Sequence, residues 1–173
     1  MNPLIHIEQS WFEIGGHECE LSRITVPGIE GLKLCLIQNP ELDEHGLELL
    51  DSMDVVYGNE VEGSWTFEVE IELPGDGGKG FQGVDAQVDR WDRDSTLAAG
   101  VELAKRINSG QPLEGNWSGK IIAQADQETP AVVMAWGSLP EIGDVVVSSA
   151  HSKSAAQAIK LLKTLVPGLQ LAS

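Results

Sequence analysis

Apolar and polar residues alternate strictly from Trp65 to Leu73, where the chain reads Trp-Thr-Phe-Glu-Val-Glu-Ile-Glu-Leu. Successive side chains of an extended strand point to opposite faces of a sheet, so the apolar residues share one face and Thr66 shares the other with the glutamates. The pattern predicts a strand with one buried face. It also predicts a solvent-exposed face that carries a row of glutamates.

Further strands are predicted on both sides of this segment. The Pro-Gly dipeptide at 27–28 suits a type II turn and predicts a hairpin between residues 17–26 and 31–37. A short apolar run near the N-terminal end predicts a first strand, after which Trp11 and Phe12 are expected to cap the core. Three apolar runs predict a meander over residues 119–125, 131–136 and 144–149.

Three segments carry apolar residues at helical spacing. The first begins at Asn39-Pro40 and reaches Met53, the second follows a cap at Asp94 or Ser95, and the third runs from about Lys153 to Val166. Strands and helices do not alternate regularly, so residues 1–173 are expected to form a single α+β domain. A mainly antiparallel sheet of about six or seven strands is expected, with about three helices packed on one face.

Charge is the least ordinary property of the chain. Twenty-seven acidic and eleven basic residues give a net charge of −16, which disfavours binding to nucleic acid or to anionic membranes and favours basic partners. Twelve of the acidic residues lie between Lys33 and Lys79, and no basic residue interrupts them. This acidic segment is either a solvated face or a docking face for a cationic protein.

The compartment is predicted from what the sequence lacks. The N-terminal residues have no basic segment followed by an apolar run, and no apolar stretch approaches the length needed to span a membrane. The chain is therefore expected to be cytoplasmic and not bound to a membrane. In that compartment Cys19 and Cys35 are expected to be free thiols.

No motif predicts catalysis, a metal or a cofactor. The glycine-rich loop Gly75–Gly80 lacks the spacing of a phosphate-binding loop, and His17 with Cys19 has no further pair of zinc ligands. Ser148, Ser149 and His151 do not form a nucleophile motif. The spacing of four aspartates does not match that of a calcium-binding EF-hand loop. These are Asp85, Asp89, Asp92 and Asp94.

The resulting hypothesis is a non-catalytic, acidic protein-binding module that docks a basic partner protein. An inhibitor, an antidote or immunity protein, or a chaperone would have this property. The predicted contact residues are Glu68, Glu70, Glu72, Asp89, Trp91 and Asp92. Trp91 is equally consistent with a core anchor of its loop, and the oligomeric state is left open.

The alternative hypothesis is a small-ligand-binding protein or an enzyme with a site near the Gly75–Gly80 loop. The positions of the five tryptophans distinguish the two hypotheses. Tryptophans that line a concave pocket would favour the ligand site, whereas an uninterrupted acidic surface would favour the protein binder.

Overall fold

A computed structural model describes residues 5–14, 17–39, 64–74, 81–123, 131–152 and 154–171. These residues form ten strands and two helices. In chain order they are β1 His6–Glu8, β2 Trp11–Ile14, β3 His17–Thr25, β4 Leu32–Gln38, β5 Trp65–Pro74, β6 Phe81–Arg90, α1 Arg93–Asn108, β7 Trp117–Ala123, β8 Ala131–Leu139, β9 Gly143–Ser152, α2 Ala155–Leu165 and β10 Leu169–Leu171.

All ten strands belong to one mixed sheet. Its order is β1-β3-β4-β5-β6-β9-β8-β7-β10, and β2 pairs with β3 beside β1. The pairing of β10 with β7 is parallel, and the other strand pairs are antiparallel. The N-terminal half therefore joins the meander β7-β8-β9 through the pairing of β6 with β9.

The predicted α+β class, with six or seven strands and three helices, is wrong for the described residues. They form a largely β structure of ten strands and two helices. Three strands were missed: β2, β6 and β10. Of the predicted helix from Asn39-Pro40 to Met53, the structure describes only Asn39. The Gly75–Gly80 loop lies outside the described residues.

The alternating segment does form β5, the strand that was predicted from it. Phe67 and Val69 are completely buried, and they belong to the single hydrophobic core of the described residues. The opposite face is not the solvent-exposed surface that alternation suggested. Thr66 there is 1% exposed, and Glu68 and Glu70 are half-buried.

Both helices pack on the face of the sheet that carries Phe67. Helix α1 contacts β4, β5 and β6, and α2 contacts β8 and β9. The register sets Val69, Ala86 and Val147 side by side on β5, β6 and β9, and all three belong to the core shared with both helices. The residues between them on each strand therefore point to the face opposite the helices.

The predicted hairpin turn is confirmed, but the predicted cap of the first described helix is not. The hairpin β3-β4 forms around Pro27-Gly28, and Gly28 has the positive φ of 88° that a type II turn requires. Ser154 caps α2, and the cap of α1 is Asp92, not the predicted Asp94 or Ser95. Trp11 does not cap the core, because its side chain is 55% exposed.

Neither described helix combines the length and the apolar character needed to cross a membrane.

Candidate functional site

Three carboxylates meet on the face of the sheet opposite the helices, and we call them the carboxylate cluster. Glu68 and Glu70 lie on β5, and Asp85 lies directly opposite Glu70 on β6. Carboxylate oxygens of the three residues all lie within 4.8 Å of one another. Asp85 is only 8% exposed, and both glutamates are half-buried. The cluster therefore concentrates negative charge where water is partly excluded.

The neighbouring strands surround the cluster with polar side chains. On β4, Lys33 is opposite Glu70 and Cys35 is opposite Glu68. On the other side, Gln87 is opposite Glu68 and Ser148 of β9 is opposite Asp85, and both are about 5% exposed. This is a polar environment inside a sheet, where buried polar groups are normally hydrogen-bonded.

The negative charge of the cluster affects the pKa of the Cys35 thiol. Burial raises the pKa of Cys35, and the charge of Glu68 and then that of Glu70 raise it further. Arg23 and Lys33 act in the opposite direction and lower the pKa. The thiol is therefore held in its protonated, unreactive form. Neither Cys19 nor Cys35 is in a disulfide in the described part of the chain.

A cation is the ligand that such a cluster can hold. Carboxylate oxygens are ligands for hard metal ions, and they also pair with the ammonium group of lysine or the guanidinium group of arginine. Exposed acidic groups are common without a metal. The geometry consequently identifies the charge of a ligand for the cluster and does not distinguish a metal ion from a side chain of another protein.

A hydrogen-bonded network begins beside the cluster and includes Asp89. Gln87 Nε2 donates to Asp89 Oδ2 at 3.1 Å, and Thr66 Oγ1 donates to Asp89 Oδ1. Asn39 Nδ2 donates in turn to Thr66 Oγ1 at 2.8 Å and to Ser64 Oγ at 3.0 Å. Both oxygens of Asp89 thus have donors within the chain, so this predicted contact residue stabilises the sheet.

Burial raises the pKa of Asp89, and the hydrogen bonds from Thr66 and Gln87 oppose that rise. The carboxylate is therefore kept in an environment that disfavours its charge, and the donors compensate only in part. A group in this situation makes folding sensitive to pH.

Asp92 and Trp91 lie at the far end of β6 from the cluster. Asp92 is the N-cap of α1, and its Oδ1 accepts a hydrogen bond from Ser95 N at 2.8 Å. Hydrogen bonds from Ser95 lower the pKa of Asp92. Trp91 is 71% exposed and is not a core anchor. At about 3.3 Å per strand residue, Trp91 is roughly 20 Å from Asp85.

The six predicted contact residues therefore do not form one patch. Glu68 and Glu70 come together with Asp85, and Asp89 accepts a hydrogen bond from Gln87, which lies opposite Glu68. The Glu72 side chain lies outside what the structure describes. Asp85 was not predicted as a partner of the glutamates, because strand β6 was not recognised. The alternation of Val84, Ala86 and Val88 with polar residues was the signal that could have revealed it.

A second group of polar and aromatic residues lies on the helix side of β2, β3 and β5. Glu20 is 3% exposed, and its two oxygens accept hydrogen bonds from Gln9 Nε2 and Arg93 Nε, each at 3.1 Å. The guanidinium of Arg93 also lies 5.9 Å from the ring centroid of Trp65. Trp11 is opposite Glu20 on the edge strand β2. Sequence reasoning missed this arrangement, because it joins residues that are distant in the chain.

The five tryptophans do not converge on one pocket. Trp117 is buried in the core on the helix side, whereas the register puts Trp136 on the opposite face. Trp65 lies under Arg93, and Trp11 and Trp91 are the large exposed aromatic residues of the described chain. Their dispersion is the pattern expected of separate core and surface roles.

Comparisons of this chain with protein-family models, with curated proteins and with solved structures found no match. The functional argument therefore depends on the residues described above.

Proposed function

We propose that this protein is a non-catalytic protein of the cytoplasm that binds a basic partner protein through the carboxylate cluster. The observation that carries the proposal is the approach of Glu68, Glu70 and Asp85 to within 4.8 Å of one another. An inhibitor, an immunity protein or a chaperone of a basic protein would act by such binding. Neither Cys19 nor Cys35 is in a disulfide, which is consistent with a reducing compartment.

Electrostatic repulsion supplies the physical reason. Negative charges at this distance repel each other, and partial burial strengthens the repulsion because less water screens it. Lys33 lies opposite Glu70 and Arg23 lies opposite Cys35, so two basic side chains neighbour the three carboxylates, and the group keeps a net negative charge. A lysine or arginine side chain of a partner would be attracted to this net negative charge.

The surrounding sequence extends the negative field beyond the cluster. Glu68 and Glu70 belong to the segment between Lys33 and Lys79 that has twelve acidic residues and no basic residue. The summed charge of a surface accelerates the diffusional approach of an oppositely charged partner. The cluster would thus provide the contact, and the acidic segment would provide attraction at longer range.

The rival hypothesis, a small-ligand site near Gly75–Gly80, has less support. That loop lies outside the described residues, and the tryptophans do not gather around one concave surface. The dispersed tryptophans therefore favour the protein-binding hypothesis over the rival.

The test begins with capture of a partner from source lysate at low salt, its elution at high salt and its identification by mass spectrometry. Association rates are then measured with a variant that neutralises the cluster, Glu68→Gln, Glu70→Gln and Asp85→Asn. The matched control neutralises three exposed carboxylates elsewhere, by Glu30→Gln, Glu102→Gln and Glu114→Gln. Both variants change the net charge equally.

We expect the cluster variant to associate about tenfold more slowly at low salt, because it lacks the local field. The control variant should change the rate much less, and the difference should shrink as salt increases. Equal association rates for the two variants would show that only net charge matters and would refute the cluster as a binding site. Thermal unfolding of both variants verifies that they remain folded.

A further inference from the structure

Among the described residues, the outer edge of the sheet next to β3 is long and continuous. Strands β1 and β2 both pair with β3 in one register, and Leu21 N donates to Ser10 O at 2.9 Å in the interval between them. Residues 6–14 thus form one extended edge. On its outer side, no described strand pairs with it. The opposite edge of the sheet, β10, has only three residues.

Proteins usually protect an edge of this length with lysine, proline or a bulge, because its unpaired backbone groups can pair with another chain. The edge from His6 to Ile14 contains no lysine, arginine or proline. Its shared register with β3 also leaves no bulge. Residues 6–14 therefore lack lysine, proline and a bulge, and the charged side chains on this edge are the acidic Glu8 and Glu13.

The side chains along the edge indicate which kind of segment would fit. Trp11 is 55% exposed, and Glu13 lies directly opposite Glu18 in the hairpin β2-β3. Like charges in opposite positions destabilise a strand pair, and here both carboxylates are exposed. A surface depression of about 470 Å³ is lined by Trp11, Phe12, Glu13 and Glu18.

An indole beside two carboxylates suits a cationic side chain. The ring face attracts an ammonium or guanidinium group, and each carboxylate can accept a hydrogen bond from it. Glu8 of β1 lies on the opposite face of the sheet, directly opposite Arg23 of β3, so the negative charge beside the indole comes from Glu13 and Glu18. Charge complementarity therefore selects a basic segment over an acidic or neutral one.

We infer that the β1-β2 edge is a docking site for an extended basic segment of another protein, which adds to the sheet as a further strand. The backbone of the edge would supply the affinity, and Trp11, Glu13 and Glu18 would supply the preference for lysine or arginine. This inference goes beyond the proposed function, because the edge is separated from β5 by β3 and β4. It does not depend on binding at the carboxylate cluster.

The probe is a blocked decapeptide in which lysine and threonine alternate, added at about 0.01 M ionic strength, where screening is weak. A lysine-proline decapeptide has the same charge but cannot form a strand ladder, and a glutamate-threonine decapeptide has the opposite charge. Affinity is measured by fluorescence anisotropy of labelled peptides. Hydrogen exchange with mass spectrometry locates the protected backbone amides.

A pair of variants at one position separates backbone pairing from charge. The hydrogen bond from Leu21 N to Ser10 O shows that the backbone of Ser10 faces β3. Backbone groups of successive residues alternate in direction along an antiparallel strand, so the N–H of Glu13 points away from β3. Glu13→Gln and Glu13→Pro both remove the charge, but only proline removes the outward donor. We expect Glu13→Pro to bind the lysine-threonine peptide about tenfold more weakly than Glu13→Gln, the effect of one hydrogen bond.

The inference predicts that the lysine-threonine peptide binds, that it protects amides within residues 6–14, and that both control peptides bind at least about tenfold more weakly. Absence of binding would overturn it. Equal binding of the lysine-proline peptide, or protection confined to other strands, would also overturn it, because the contact would then be electrostatic only. The peptide controls use the wild-type protein, so the test survives if Glu13→Pro fails to fold.

Discussion

Gly100 of α1 packs directly on the ring of Phe67 of β5. A Cβ atom at position 100 would lie 1.9 Å from Phe67 Cγ, closer than any van der Waals contact allows. Phe67 is completely buried and cannot move into solvent. Helix α1, which covers this part of the core, therefore requires glycine at position 100, although glycine is otherwise disfavoured inside helices.

The first prediction concerns this contact. In an exposed helix position, Gly→Ala would stabilise the protein by about 1 kcal/mol, but Gly100→Ala forces the helix and the ring apart. We expect a net loss of roughly 1–2 kcal/mol in the free energy of unfolding. Urea denaturation provides the measurement. Ala98→Gly at an exposed position of α1 is the control, and it should cost about 1 kcal/mol. A Gly100→Ala variant as stable as the wild type would contradict the packing.

The second prediction compares the two faces of β5. Val69 is completely buried, so Val69→Asp places an unpaired carboxylate in the core and should cost several kcal/mol, a large part of a typical stability of roughly 5–15 kcal/mol. Glu70→Gln removes one charge from the carboxylate cluster, so it should leave the thermal midpoint unchanged or raise it. Thermal unfolding of both variants, with Glu114→Gln as an exposed control, provides the measurement. Equal destabilisation by the two β5 variants would mean that the faces are assigned wrongly.

The third prediction concerns Asp89 and pH. Burial raises the pKa of Asp89 in the folded protein above its value in the unfolded chain, so the folded state binds a proton more tightly. The contribution of Asp89 to the free energy of unfolding therefore increases as the pH falls through the pKa of Asp89 in the folded protein. The increase is complete below the pKa of Asp89 in the unfolded chain. Asn at position 89 cannot titrate.

Denaturation curves of wild type and Asp89→Asn between neutral and acidic pH isolate this effect, because the other titrating groups are common to both proteins. The free energy of unfolding of the wild type should rise relative to that of Asp89→Asn as pH falls. A relative decrease would mean that the donors from Thr66 and Gln87 outweigh burial and lower the pKa.

Local patterns in the sequence determined a large part of the secondary structure. Alternation was sufficient for β5, and the Pro-Gly turn was sufficient for the hairpin β3-β4. Ser154 caps α2 through a local contact of the same kind, because a hydroxyl beside a helix start satisfies a nearby N–H whatever the remainder of the chain does. These features depend on residues within a few positions of one another.

Tertiary structure decided what lies beside each strand. Glu70 and Asp85 meet because β6 returns along β5, and Glu20 meets Arg93 because α1 begins above β3. Periodicity assigns a residue to a face, but it carries no information about which strand is adjacent or what covers that face. The half-buried glutamates of β5 and the exposed Trp11 were both mispredicted for this reason: burial depends on neighbours that only long-range pairing brings together.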